Sequence, residues 1–227
     1  MSIEENIFIK YIPVFDKLLP YGFKHSGGKY TYEEYFMDNQ FKSVVEISRD
    51  GLISGKVIDT ESGEEYVPLK LNSQEGSFVG EVKAEYENIL IKIRDYCFMK
   101  QYFVLPQSNR ITKLIADKYG DTPEFLWEKY DDSGIFRNPD SNKWYAAILD
   151  VDKSRLLPDK KGFTEVINLK LEVEHVQQII KEPNFYPAYH MNKKYWISVI
   201  LDDSITDNKI MELVKESHIL CGKIKKR

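Results

Sequence analysis

Apolar residues recur along this chain in two successive sets of helical and alternating patterns. Ile7, Phe8, Tyr11, Phe15, Leu18 and Leu19 share one side of a helix predicted from about Glu4 to Leu19. Pro13 kinks or splits it, and Pro20 and Gly22 end it. Strand patterns follow at Tyr30–Phe36, Phe41–Ser48 and Leu52–Asp59, the last two joined by Asp50-Gly51, a strong hairpin signal. Glu61-Ser62-Gly63 turns the chain toward a further strand, Tyr66–Leu71. Val79, Val82, Tyr86, Ile89, Leu90, Ile93 and Cys97 then hold helical spacing over about Ser77–Phe98.

Between Gln101 and Asn109 the pattern breaks, and a second set begins. Ile111, Leu114, Ile115 and Tyr119 predict a helix closed by Gly120. Thr122-Pro123-Glu124 has the form of a helix start leading into Phe125, Leu126 and Trp127. Strands are predicted at Gly134–Arg137, Trp144–Val151, Phe163–Leu169 and Tyr195–Leu201, with a helix from about Glu172 to Lys181. A last helix opens at Thr206, where Ile205 and Ile210 are spaced for a hydrophobic staple. Each half has its own helices and strands, so the expectation is two small α+β domains, 1–106 and 107–227. Each is an antiparallel sheet packed with helices.

Composition places the chain among globular proteins: 42% of its 227 residues are hydrophobic and 30% charged. No apolar run reaches the roughly 20 residues that span a bilayer. The N-terminus is acidic where a signal peptide would be basic, so the expected location is cytoplasmic, with no membrane partner. Cys97 and Cys221 fit reduced, buried thiols. The net charge of −4 is not that of a bulk polyanion binder. It is uneven, however, because the second half carries the basic end Lys223, Lys225, Lys226 and Arg227.

Catalytic chemistry finds little support. Ser26-Gly27-Gly28-Lys29 lacks the spacing and the following Ser or Thr of a phosphate loop. His25, His175, His190 and His218 show no metal-ligand spacing, and the two cysteines form no CxxC pair. Asp150 and Asp152, or Asp202 and Asp203, read better as solvated strand-end caps than as magnesium ligands. No Gly-x-Ser-x-Gly is present. A non-enzymatic protein without a cofactor is expected. What stands out instead is a repeated order of chemistry. Asn142, Lys143, Trp144 and Tyr145 lead into an apolar run ending at Asp150, and Asn192, Lys193, Lys194, Tyr195 and Trp196 lead into one ending at Asp202. Charge for phosphates beside rings for stacking is the composition of a nucleic-acid surface. Solvated edge lysines beside core-capping rings are the plainer reading.

The stretch from Tyr186 to Ser204, with His190, Asn192, Lys193, Lys194 and Trp196 in its middle, closely resembles the hallmark segment of the MmcQ/YjbR family. Phe136-Arg137-Asn138-Pro139-Asp140 leading to Lys143-Trp144-Tyr145-Ala146 is similar to that family's earlier strand, and the likeness covers about residues 110–222. Tyr195 stands where the family commonly has His, so no imidazole role carries over there. The resemblance implies a secretion-chaperone-like α+β domain and a double-wing mode of binding double-stranded DNA. The residues implied are Lys143, Trp144, His190, Asn192, Lys193, Lys194 and Trp196. A protein-interaction or chaperone-like module with a protein partner is the alternative. The first half resembles an extra domain without an assigned role.

Overall fold

The computed structural model describes residues 1–70, 76–127 and 132–222. The basic end from Lys223 to Arg227 lies outside them, as does Leu71. The chain divides into two compact units, Met1–Gln101 and Tyr102–Arg227. Residues 102–106 therefore belong with the second unit, not the first. The reason is the buried Glu165, whose carboxylate accepts from the Val104 and Leu105 amides at 2.7 and 2.9 Å.

In the first unit the predicted N-terminal helix is three elements: helix α1 (Ile3–Phe8), strand β1 (Tyr11–Pro13) and helix α2 (Phe15–Tyr21). A capping box between Ser2 and Glu5 starts α1. Pro13 ends a strand instead of kinking a helix, and Pro20 is accommodated in the last turn of α2 before Gly22 closes it at φ 122°. Four antiparallel strands follow among the described residues: β2 (Lys24–Ser26), β3 (Lys29–Phe36), β4 (Phe41–Ser48) and β5 (Ile53–Asp59), in that spatial order. The predicted strand at Tyr66–Leu71 is a 3₁₀ turn over Val67–Lys70. Pro68 has no N–H for a ladder, and pairing stops at an isolated bridge between Ile58 and Glu65. Helix α3 (Ser77–Cys97) buries Val82, Tyr86, Ile89, Leu90, Ile93 and Cys97 as its spacing predicts. Strand β6 (Phe98–Lys100) then pairs with β1, a contact between segments about 90 residues apart for which local pattern gives no signal.

The second unit opens with helix α4 (Pro106–Tyr119), which begins earlier than predicted because Pro106 occupies its first turn, and ends at Gly120 in the left-handed conformation. Thr122-Pro123-Glu124 does not start a helix. Glu124 exchanges backbone hydrogen bonds with Ile135, and its carboxylate takes the Arg137 guanidinium, so the segment runs beside the sheet. Strands β7 (Gly134–Arg137), β8 (Trp144–Asp152) and β9 (Phe163–Lys170) lead to helix α5 (Val173–Ile179). Strands β10 (Phe185–Pro187) and β11 (Trp196–Ile200) and helix α6 (Asp207–Gly222) complete the unit. Among the described residues the antiparallel sheet has the order β10-β11-β9-β8-β7. One face, carrying Ala146, Ile148, Ile167, Leu169, Ile197 and Val199, packs against α4, α5 and α6. The other carries Leu149, Val151, Val166 and Ile200, covered by Leu156, Leu157, Tyr186 and Tyr189. Both units are thus antiparallel sheets packed with helices, the predicted α+β class.

Candidate functional site

Strands β8 and β11 are both antiparallel to β9 and flank it, so they run parallel to each other and begin at the same end of the sheet. This explains what the repeated Asn–Lys–aromatic order achieves. It brings Lys143 and Trp144 to the same edge as Asn192, Lys193, Lys194 and Trp196, with Trp144 and Trp196 about two strand spacings, roughly 10 Å, apart. Lys170 pairs with Trp196 and ends β9 at that edge, while Arg137 pairs with Trp144 and ends β7 there. Burial pushes the Cys221 thiol up, and its Sγ donates to the Trp144 carbonyl at 3.1 Å.

A β-bulge sets the aim of Trp144. Phe136 pairs with Ala146 but Arg137 pairs with Trp144, leaving Tyr145 as an extra residue. Tyr145 and Ala146 both enter the helix-side core. Trp144 consequently turns to the opposite face, where its ring meets Trp127 edge to face at 5.8 Å and 86°. The Arg137 guanidinium lies over the Trp144 ring at 5.7 Å.

The turn before β11 is built by Asn192. Its carbonyl accepts from the Tyr195 and Trp196 amides, both at 3.0 Å, and its Oδ1 accepts from the Lys194 amide at 3.0 Å. Asn192 is therefore a turn former first. Lys193 and Lys194 are exposed on that turn, and the Lys194 ammonium sits 5.4 Å from the Tyr195 ring centre. Trp196 is half-buried at the strand start.

His190 lies apart from the lysine turn, in a loop folded over the non-helical face. Asn168 Nδ2 donates to the Tyr189 carbonyl at 2.7 Å, and the Tyr189 amide donates to Ser198 Oγ at 2.9 Å, both side chains coming from buried positions in the sheet. His190 itself holds φ 56°, the left-handed region, which costs a residue with a Cβ about 1–2 kcal/mol. The anchored loop and the sheet border a partly open cavity of about 460 Å³. Ala147 and Leu149 of β8 lie beneath it, Trp127 and Trp144 line one part, and Tyr189, His190 and Met191 another, with Ser133 and Asp150 also contributing.

Of the sequence-derived candidates, the structure joins Trp144 and His190 in one cavity, and groups Lys143, Asn192, Lys193, Lys194 and Trp196 along the adjoining sheet edge. Arg137 and Lys170 were missed as members of this edge, and Trp127 and Tyr189 as members of the cavity. Trp127 was hidden because its segment reads as a helix. Among the described residues no group of three or more His, Cys, Asp or Glu side chains is placed to hold a metal ion, and no helix is long and apolar enough to cross a membrane.

Known proteins match the second unit. A family model described as YjbR matches residues 116–220. The chain is 34% identical over 107 residues to the uncharacterized protein YyaQ of Bacillus subtilis strain 168, covering 47% of this chain and 91% of that relative. A crystal structure of a Pseudomonas syringae protein is 35% identical, covers 49% of this chain and 96% of its own, and superposes with a TM-score of 0.48. A Deinococcus radiodurans crystal structure described as a DUF419 domain is 21% identical over 51% of this chain and 78% of its own, at a TM-score of 0.38. The second unit is the part of the chain that the family model and YyaQ match. Through it, the chain belongs to the YjbR family.

Proposed function

We propose that the YjbR-type unit is a non-catalytic DNA-binding module that grips the phosphate backbone of a duplex at the sheet edge where β8 and β11 begin. The observation that carries this reading is the convergence of Lys143, Lys170, Lys193, Lys194 and Arg137 on that edge, beside Trp144 and Trp196. Residues 102–227 contain 20 Lys and Arg against 19 Asp and Glu, so attraction comes from the local grouping and not from net charge. Ammonium groups make compact contacts suited to phosphates, whereas Arg137, the guanidinium at this edge, is engaged by Glu124 at 2.8 Å. Binding is therefore weakly sequence-specific. A cytoplasmic location goes with this reading, since Cys97 and Cys221 are free, buried thiols. The test is binding of a short duplex by the full chain as salt is varied. Each neutralised phosphate contributes a log–log slope of about −0.9, so four or five contacts give about −4. Absence of binding at low salt contradicts the proposal.

One observation favours a second reading, a protein-interaction module. Tyr102, Val104, Phe125, Leu126 and Trp127 are each at least 37% exposed, and Tyr102 stacks on Phe125 at 6.2 Å. Exposed apolar groups this close in sequence suit a protein surface. Under that reading, Phe125→Ser with Leu126→Ser abolishes partner binding. Under the DNA reading, the same change leaves the salt slope intact.

A further inference from the structure

The cavity beneath the Tyr189–Met191 loop has a chemistry of its own. About 460 Å³ is the size of a small-ligand pocket. Among the described residues its lining contains no lysine or arginine. Among the described residues, Trp127, Trp144 and Tyr189 bring ring surface to it, with the His190 imidazole beside them. Ala147 contributes only a methyl group from the sheet, which leaves depth below the rings.

A peptide strand is a poor occupant. From Ala146 to Ile148 the strand β8 is paired with β7 on one side and β9 on the other, so this part of it has no free ladder to offer an added strand. The occupant has to be recognised by ring faces. Cations lie on the adjoining sheet edge: Arg137 covers the Trp144 ring at 5.7 Å, Lys143 precedes Trp144 in the chain, and Lys193 and Lys194 lie on the exposed turn before β11. An aromatic cavity bordered by phosphate-binding charges fits one unit of a nucleic-acid strand, with the base inside and the phosphates outside.

We propose that this cavity receives a single unstacked base, so that the preferred ligand is a duplex with an unpaired nucleotide instead of an intact one. The inference rests on the backbone-binding reading above and adds to it a site for the base. An unpaired base has already lost most of the stacking and pairing that an intact duplex must give up to extrude one. Stacking on aromatic side chains then favours capture by about fivefold to 100-fold.

Three duplexes of equal length and charge test this with the full chain: fully paired, with one central mismatch, and with an abasic site at the same position. The abasic duplex controls for local flexibility without offering a base. The mismatched duplex is expected to bind about tenfold tighter than either of the others. Trp127→Ala removes that preference while leaving the salt slope unchanged, because Trp127 is 37% exposed and carries no charge. Ala147→Leu, which fills the cavity from below, does the same and guards against a folding effect of the first variant. Equal affinity for the mismatched and abasic duplexes, with the salt slope preserved, overturns the base site and leaves the backbone reading standing. No binding of any duplex at low salt overturns both.

Discussion

Ser198 and Asn168 face each other across β11 and β9, and the Ser198 hydroxyl donates to Asn168 Oδ1 at 2.5 Å with both side chains fully buried. The same two side chains take up the amide and the carbonyl of Tyr189. Two buried polar residues of the sheet thus fix the loop that carries His190. Asn168→Ala strands the Ser198 hydroxyl and the Tyr189 carbonyl, and an unsatisfied buried group costs about 1–3 kcal/mol. Urea unfolding is expected to show that loss, and amide exchange at Tyr189 to accelerate. Unchanged exchange at Tyr189 would mean that the loop is held by something else.

Two glycines of the first unit predict opposite signs. A Cβ on Gly55 would sit 1.9 Å from Tyr86 Oη and 2.8 Å from Glu4 Oε1, where Tyr86 donates to the buried Glu4 carboxylate at 2.5 Å. Gly55→Ala is therefore destabilising by about 1–3 kcal/mol or more. Gly80 lies exposed in α3 with open space around it, so Gly80→Ala stabilises by up to about 1 kcal/mol. Thermal unfolding of the two variants reads both effects, and shifts of the same sign would contradict this packing.

The second unit carries an acid-sensitive tie. Gln107 Nε2 donates to Asp207 Oδ1 at 2.9 Å and to the Ile205 carbonyl at 2.7 Å, and Arg110 Nε donates to Asp207 Oδ2 at 2.8 Å. These bonds, the one from Arg110 foremost, hold the Asp207 carboxyl below the usual carboxylate range. A depressed folded-state pKa stabilises the fold above the unfolded value, about 3.9, and that contribution is lost as pH falls through the folded value. Stability is expected to decline as pH falls from about 4, and Asp207→Asn to lower stability at pH 7 while flattening that decline. An Asp207→Asn variant with the wild-type acid profile would show that the tie contributes nothing.

Trp196 and Lys193 separate packing from charge. The indole is half-buried at the start of β11. Trp196→Ala is expected to cost about 2 kcal/mol, below the 3–5 kcal/mol of a fully buried ring. Lys193→Ala at an exposed turn position stays within about 0.5 kcal/mol. Equal melting temperatures would show that Trp196 contributes no packing.

Local spacing and turn residues made the long elements legible. The stripe from Val82 to Cys97, the hairpin at Asp50-Gly51 and the strands at Trp144 and Phe163 all follow from local spacing. The pairing of β1 with β6 was not legible, because Tyr11 and Lys100 are joined only by the tertiary fold. Thr122-Pro123-Glu124 misled because a good cap sequence was overridden by backbone bonds between Glu124 and Ile135. At the site, the lysines and Trp196 were visible as a repeated order of residue types. The cavity was not, because it depends on the bulge at Tyr145 turning Trp144 toward Trp127.

The central claim is that lysines at the start of β11 contact phosphates, and a comparison of salt dependence tests it most directly. Duplex binding by the full chain is measured across a range of salt for the wild type and for Lys193→Ala with Lys194→Ala. Losing two phosphate contacts is expected to flatten the log–log slope by about 2, with folding unchanged. An identical slope for the two proteins would contradict the claim.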